Sequence, residues 1–172
     1  MDLPMRKHVR LKEYDYSQNG AYFVTICTKD RRNILSDIVG RGLAPAEVRL
    51  TGCGRVVETE LFALPVRYGP VRVEKYVIMP NHIHVLFLFG SEAAGASPRP
   101  TLMQVIGTFK SLSTRHWNED AGTAGEKLWQ SGFHEHIIRD DNDFLLHWQY
   151  IDQNPARWGE DEYFTHSAGG AP

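Results

Sequence analysis

The sequence predicts an α+β fold: a ferredoxin-like β-α-β-β-α-β sandwich with an additional C-terminal helix carrying a tyrosine. Three observations lead there. Segments rich in β-branched and aromatic residues alternate with segments of helical apolar spacing, in the order strand, helix, two strands, helix, strand. The two middle strands are separated by Pro80-Asn81 alone, so they form a hairpin. A last amphipathic stretch, ending at Pro155, falls outside the six-element unit.

Ala21 to Lys29 (AYFVTICTK) follows the turn pair Asn19-Gly20 and reads as the first strand. Residues 36–50 mix charge, Gly and Pro and read as a loop. Gly52-Cys53-Gly54 lacks the Gly-Lys-Ser/Thr ending of a phosphate loop and is expected to be a turn. From Arg55 to Arg67, Val56, Val57, Leu61 and Leu64 recur at helical spacing, and Gly69-Pro70 closes that helix. Arg72 to Met79 and His82 to Phe89 are the hairpin strands. Gly90 to Pro100 is a flexible loop. Thr101 to Trp117 is the second helix, with Leu102, Val105, Ile106, Phe109 and Leu112 on one face. Residues 118–127 form another loop, and Phe133 to Arg139 is the fourth strand. Asp141 or Asn142 caps a third helix that runs to about Asn154. The expectation is a single domain over residues 1–165 with a flexible tail over 166–172.

Composition narrows the function classes. With 42% hydrophobic and 23% charged residues in 172, the chain suits one globular domain with a real core. No apolar run approaches the ~20 residues of a membrane span, and Met1 to Lys12 lacks the apolar stretch of a signal peptide. A cytoplasmic protein is therefore expected, and Cys27 and Cys53 make no disulfide framework there. The net charge of −2 argues against a general nucleic-acid binder. The charge is uneven, however. Seven acids face two arginines in residues 139–162, whereas Arg6, Lys7, Arg10 and Lys12 cluster with His8 near the N-terminus. That cluster is compatible with a local phosphate-binding patch, or with an ordinary solvated surface.

Two groups of residues carry candidate chemistry. His82 and His84 stand two apart in a strand, so both imidazoles project to one face, while Ile83, Val85, Phe87 and Phe89 project to the other. Such a pair suits a shared divalent cation, although a structural HxH pair is more common. On the last helix, Phe144, Trp148 and Ile151 form an apolar stripe; Tyr150 lies away from it, with Asp143, His147 and Asn154 on its own side. Tyr150 is either a packing residue or a nucleophile. A phenol has a pKa of about 10, so attack on a phosphate would call for a cation there. Two imidazoles and the neutral amide of Asn154 make a low-charge site, which points to Mg²⁺ or Mn²⁺ with the phosphate completing it. His134-Glu135-His136 lacks zinc-protease spacing, though Glu135 and His136 could line the site. Tyr163 lies beyond Pro155 and Gly159 and is not expected to stand in for Tyr150. Tyr68 and Tyr76 read as packing residues.

The stretch Tyr76 to Leu86 (YVIMPNHIHVL) resembles the His-hydrophobic-His (HUH) motif of bacterial single-tyrosine transposases. Tyr16 to Arg31 (YSQNGAYFVTICTKDR), Leu128 to Arg139 (LWQSGFHEHIIR) and Tyr150 to Pro155 (YIDQNP) resemble the branch called REP-associated tyrosine transposases. The resemblance implies cleavage and rejoining of single-stranded DNA near a palindromic hairpin through a 5′-phosphotyrosine. It implies His82 and His84 as metal ligands, Tyr150 as nucleophile, and Arg6 to Lys12 as DNA-binding residues. Asn154 stands where insertion-sequence relatives carry a glutamine that helps to hold the metal, and Gln153 is the adjacent alternative. It also implies a nucleoid-associated bacterial protein working as a monomer rather than a dimer. The competing expectation is a non-catalytic or domesticated protein that binds hairpin DNA without transposing.

Overall fold

The alternation along β1 (Gly20–Cys27) meets two different environments. Tyr22, Val24 and Ile26 enter the larger core, whereas Phe23 and Cys27 join a smaller cluster on the opposite face. A computed structural model of the chain describes residues 20–40, 45–90 and 100–165. The basic cluster Arg6, Lys7, His8, Arg10 and Lys12, most of the loop expected over Gly90 to Pro100, and the tail over 166–172 lie outside the described residues.

Two short strands follow β1, namely β2 (Ser36–Val39) and β3 (Glu47–Leu50). They correct the loop expected over 36–50, because Ser36 pairs with Leu50 and Val39 with Glu47 in a separate antiparallel hairpin. Next come α1 (Gly52–Arg67), β4 (Val71–Ile78), β5 (His82–Phe89), α2 (Leu102–Ala121), β6 (His134–Ile138) and α3 (Asp141–Gln153). The main sheet has the order β4-β5-β1-β6, and every pairing is antiparallel. Without the β2–β3 hairpin and α3, this is the expected ferredoxin-like unit.

Helices α1 and α2 cover one face. Val57, Leu61 and Leu64 of α1 and Val105, Ile106 and Phe109 of α2 pack with Ile83, Val85 and Phe87. Burying such side chains contributes roughly 1.5–3 kcal/mol each, so this layer carries most of the hydrophobic stabilisation. Thr51 caps α1 by accepting from the Gly54 amide at 3.0 Å. The Gly-Cys-Gly segment is thus the first turn of α1 and not a preceding turn. Gly54 is required there, since a Cβ would lie 2.0 Å from the Leu35 carbonyl oxygen. A capping box of Thr101 and Gln104 starts α2. That helix continues past Trp117 to Ala121 and ends on Gly122, whose φ of 68° suits glycine.

Helix α3 lies on the opposite face. Asp140, rather than Asp141 or Asn142, is its cap and accepts from the Asp143 amide at 2.9 Å. Ile151, with Phe144 and Trp148, packs against Val77, Met79 and Leu86. Beyond it the chain makes a 3-10 turn at Trp158–Glu160 and runs back toward the start of β5. Asn81 Nδ2 donates to the Tyr163 carbonyl at 2.7 Å, and Asn33 Nδ2 donates to the Thr165 carbonyl at 3.1 Å. No helix among the described residues is long and apolar enough to cross a membrane. Cys27 and Cys53 are buried and unbridged.

Candidate active site

His82 and His84 share the α3 face of β5, at its end next to the Pro80-Asn81 connector, and both are buried. Strand register fixes their neighbours: Cys27 faces His82 and Thr25 faces His84. Asn81 is fully buried, and its amide nitrogen is committed to Tyr163. Its oxygen therefore accepts from His82 Nδ1–H at 2.9 Å, which leaves the His82 Nε2 lone pair available. That atom lies 3.0 Å from His84 Nε2. His84 Nδ1 lies 2.7 Å from the Thr25 hydroxyl, which can donate or accept. Burial holds both imidazoles neutral. His82 is pushed well below the ordinary histidine value by desolvation, then by His84 and Arg31. Desolvation, with His147 and His134, lowers His84 to about 3.

Asp161 completes the group. Its carboxylate is 4.0 Å from His82 Nε2, and the ligand atoms of His82, His84 and Asp161 all lie within 4.8 Å of one another. With His82 neutral this contact is no ion pair. Desolvation raises the Asp161 pKa, against hydrogen bonds from the Tyr163 amide and the Asn154 side chain. Asn154 Nδ2 donates to Asp161 Oδ2 at 2.9 Å, and the buried Asn154 Oδ1 has no hydrogen-bond partner among the described residues. Gln153 is exposed. Two neutral imidazoles and one buried carboxylate fit a divalent cation, with the orphaned Asn154 oxygen as a further donor.

Sequence reasoning missed Asp161. It lies seven residues beyond Asn154, past the end of α3, and no periodicity connects it to the histidines. It also missed the place of Tyr163. That residue is off the helix, as expected, but its ring packs on His82 with centroids 4.6 Å apart. Asn81-His82, Asn154 and Asp161 thus meet at one point from three parts of the chain. Tyr68 and Tyr76 pack against the larger core and are bonded through their hydroxyls to Thr108 and Glu58.

Tyr150 lies over this floor. Its ring meets His84 at 5.1 Å and Phe23 at 5.8 Å, both edge-on, and it is 41% exposed. It lines a cleft of about 500 Å³ together with Thr25, His84, His134, His136 and Tyr163. Glu135 lines the cleft as well. Burial, then Asp161 and Glu162, push the Tyr150 phenol up to about 12. Left to itself, this tyrosine is a poor nucleophile at neutral pH, and positive charge beside it would change that.

No protein-family model matches the chain. An uncharacterised Haemophilus influenzae protein is 28% identical over 173 residues, 93% of each chain. A second protein of that species, provisionally named a REP-associated tyrosine transposase, is 27% identical and matches 84% of this chain and 75% of its own length. An Escherichia coli REP-associated tyrosine transposase is 24% identical, over 84% and 71%. A solved REP-associated tyrosine transposase, bound to a REP hairpin, superposes with a TM-score of 0.58 at 19% identity. That likeness covers 90% of this chain and 77% of that one, and shows a shared fold. In sequence, then, this chain is similar to proteins named REP-associated tyrosine transposases, and it shares the fold of a solved one.

Proposed function

We propose that this protein cleaves and rejoins single-stranded DNA beside a palindromic hairpin, with Tyr150 as the nucleophile. The observation that carries the proposal is the stacking of Tyr150 edge-on against His84, above an imidazole pair whose Nε2 atoms meet at 3.0 Å. His82, His84 and Asp161 would hold Mg²⁺ or Mn²⁺, with Asn154, the ligand expected from the sequence, steadying the acid through its amide nitrogen. When bound, the cation supplies charge that polarises the phosphate and offsets the negative charge developing on its oxygens.

The chain's own residues do the rest. Asn81 and Thr25 fix the imidazole rings, so the ligand nitrogens need no reorganisation. Phe23 packs against His84 and Tyr150 and supports both rings. Tyr150 Oη attacks phosphorus and the Oη–P bond forms. The P–O3′ bond breaks, and the phenol proton passes through solvent to the leaving 3′ oxygen. One phosphodiester is exchanged for another, so a second 3′-hydroxyl can reverse the step without a nucleotide cofactor. The hairpin-bound state of the structural relative supports a hairpin substrate here. The N-terminal residues Arg6, Lys7, Arg10 and Lys12 would grip its phosphates.

The test is trapping of the intermediate. Wild type incubated with a single-stranded hairpin DNA and Mn²⁺ should give a covalent adduct on denaturing gels. Tyr150→Phe should give none while still binding DNA, since removing one half-exposed hydroxyl changes stability by about 0.5 kcal/mol or less. Tyr163→Phe should keep the adduct. Adduct formation by Tyr150→Phe would overturn the assignment, and cleavage with no trappable adduct would favour attack by water.

A further inference from the structure

We propose that His136, Asp143 and His147 form a second divalent-cation site, suited to zinc-class ions, which clamps β6 to the helix bearing Tyr150. The three residues lie outside the His82–His84–Asp161 group, and their own ligand atoms converge within 4.8 Å of one another. His136 is on the edge strand β6. Asp143 and His147 are four apart on α3 and therefore share a face.

The spacing is that of a coordination shell. His136 Nε2 lies 3.1 Å from Asp143 Oδ1, and His147 Nδ1 lies 3.1 Å from the same oxygen. Ligands at about 2.0–2.1 Å in a tetrahedral zinc site stand roughly 3.3–3.4 Å apart, so these two pairs are within a few tenths of an ångström of that spacing. The rings are already in contact. His136 and His147 stack at 4.6 Å and 22°, and Phe23 backs His147 at 4.6 Å. The carboxylate is oriented as well, because the Arg139 amide donates to Asp143 Oδ2 at 3.1 Å. His147 Nδ1–H donates to the Asp143 carbonyl at 2.8 Å, so binding at Nδ1 gives up that bond, turns the ring off the carbonyl and moves its proton to Nε2.

The donor chemistry separates the two sites. Two imidazoles and one carboxylate, with solvent as the fourth ligand, suit Zn²⁺ or Co²⁺, whereas Mg²⁺ prefers oxygen. The group is partly open, since the His136 side chain is 44% exposed and that of His147 is 21% exposed. An ion can therefore enter from the cleft. His147 precedes Tyr150 by one helical turn, so the ion would fix the helix beside the nucleophile without touching it. The site depends only on its own three residues and stands whether or not Tyr150 attacks DNA.

The test measures binding, not turnover. Zn²⁺ is titrated calorimetrically into the full chain, and Co²⁺ coordination is followed by visible absorption. The His82→Gln/His84→Gln protein should still bind one equivalent of Zn²⁺ and show a zinc-induced rise in Tm. Adding His136→Gln to that background should weaken this binding at least tenfold and remove both the Tm rise and the Co²⁺ absorption band. Asp143→Asn should do the same. His136 is half exposed, so its replacement leaves a folded protein to measure. Failure of the His82→Gln/His84→Gln protein, shown folded by its circular dichroism, to bind Zn²⁺ would overturn the proposal. So would undiminished binding after His136→Gln.

Discussion

At His82 the decisive atom is not on the histidine. Asn81, fully buried and with its amide nitrogen held by the Tyr163 carbonyl, dictates which imidazole nitrogen keeps its proton. The same logic of support extends to the acid. Asp161 contributes a formal charge and Asn154 a hydrogen bond, so the two should not be equivalent. Asp161→Asn is expected to weaken Mn²⁺ binding in calorimetry by more than Asn154→Ala, whose loss should fall in the 10–100-fold range of a supporting residue. The reverse order would make Asn154 the ligand. Burial of the histidines has a separate consequence. Their folded pKa values lie below the unfolded value of about 6.5, with His84 near 3, so the unfolded chain binds protons that the folded chain refuses. Metal-free protein should hold its full stability above pH 6.5 and lose it progressively as the pH falls toward 3. Urea midpoints measured across that range check the sign. The His82→Gln/His84→Gln variant should show a shallower decline.

Among the elements, α1 is the one whose placement leaves least room. Gly54→Ala would drive a Cβ into the Leu35 backbone, and the expected cost is about 3 kcal/mol or more. Gly107→Ala is the counterpart. It sits on the exposed side of α2 with no atom within 4 Å of a new Cβ, and should gain about 0.5–1 kcal/mol. Urea unfolding of both variants tests the pair, and a tolerated Gly54→Ala would mean that α1 can shift away from Leu35. The same elements show what the sequence made legible. The six-element unit was readable because its strands and helices bury continuous faces: Tyr22, Val24 and Ile26 at period two, Val57, Leu61 and Leu64 at helical spacing. The β2–β3 hairpin was not, because four-residue strands of mixed charge bury too little to leave a pattern. His82, His84 and Tyr150 were visible through motif and face. Asp161 was invisible, since its position is decided by tertiary contacts: Trp158 buried in the smaller core, and Asn81 holding Tyr163.

For the whole molecule, charge distribution sets how it would meet DNA. A net charge of −2 gives no general attraction to a polyanion, so binding should depend on local cations. Arg6, Lys7 and Arg10 belong to the basic cluster near the N-terminus. Replacing all three with alanine should reduce the slope of log affinity against log salt by about 2, at roughly 0.7 per phosphate contact on single strands. Fluorescence anisotropy with a hairpin oligonucleotide over a salt series measures it, and an unchanged slope would remove these residues from the interface. The path from Tyr150 to Asp161 also matters at this scale. Residues 155–160 act as a spacer of set length, anchored at one end by Asn154 and at the other by Tyr163. Tyr150 belongs to the helix before the spacer and Asp161 to the segment after it. Residues added there can loop out between the two anchors, but a deletion would leave Tyr150 seated and pull Asp161 away from the histidines. Spacer length is therefore a dial that separates the place of the acid from the place of the tyrosine, and a shortened chain could keep Tyr150 in its cleft while having lost the carboxylate beside the histidines.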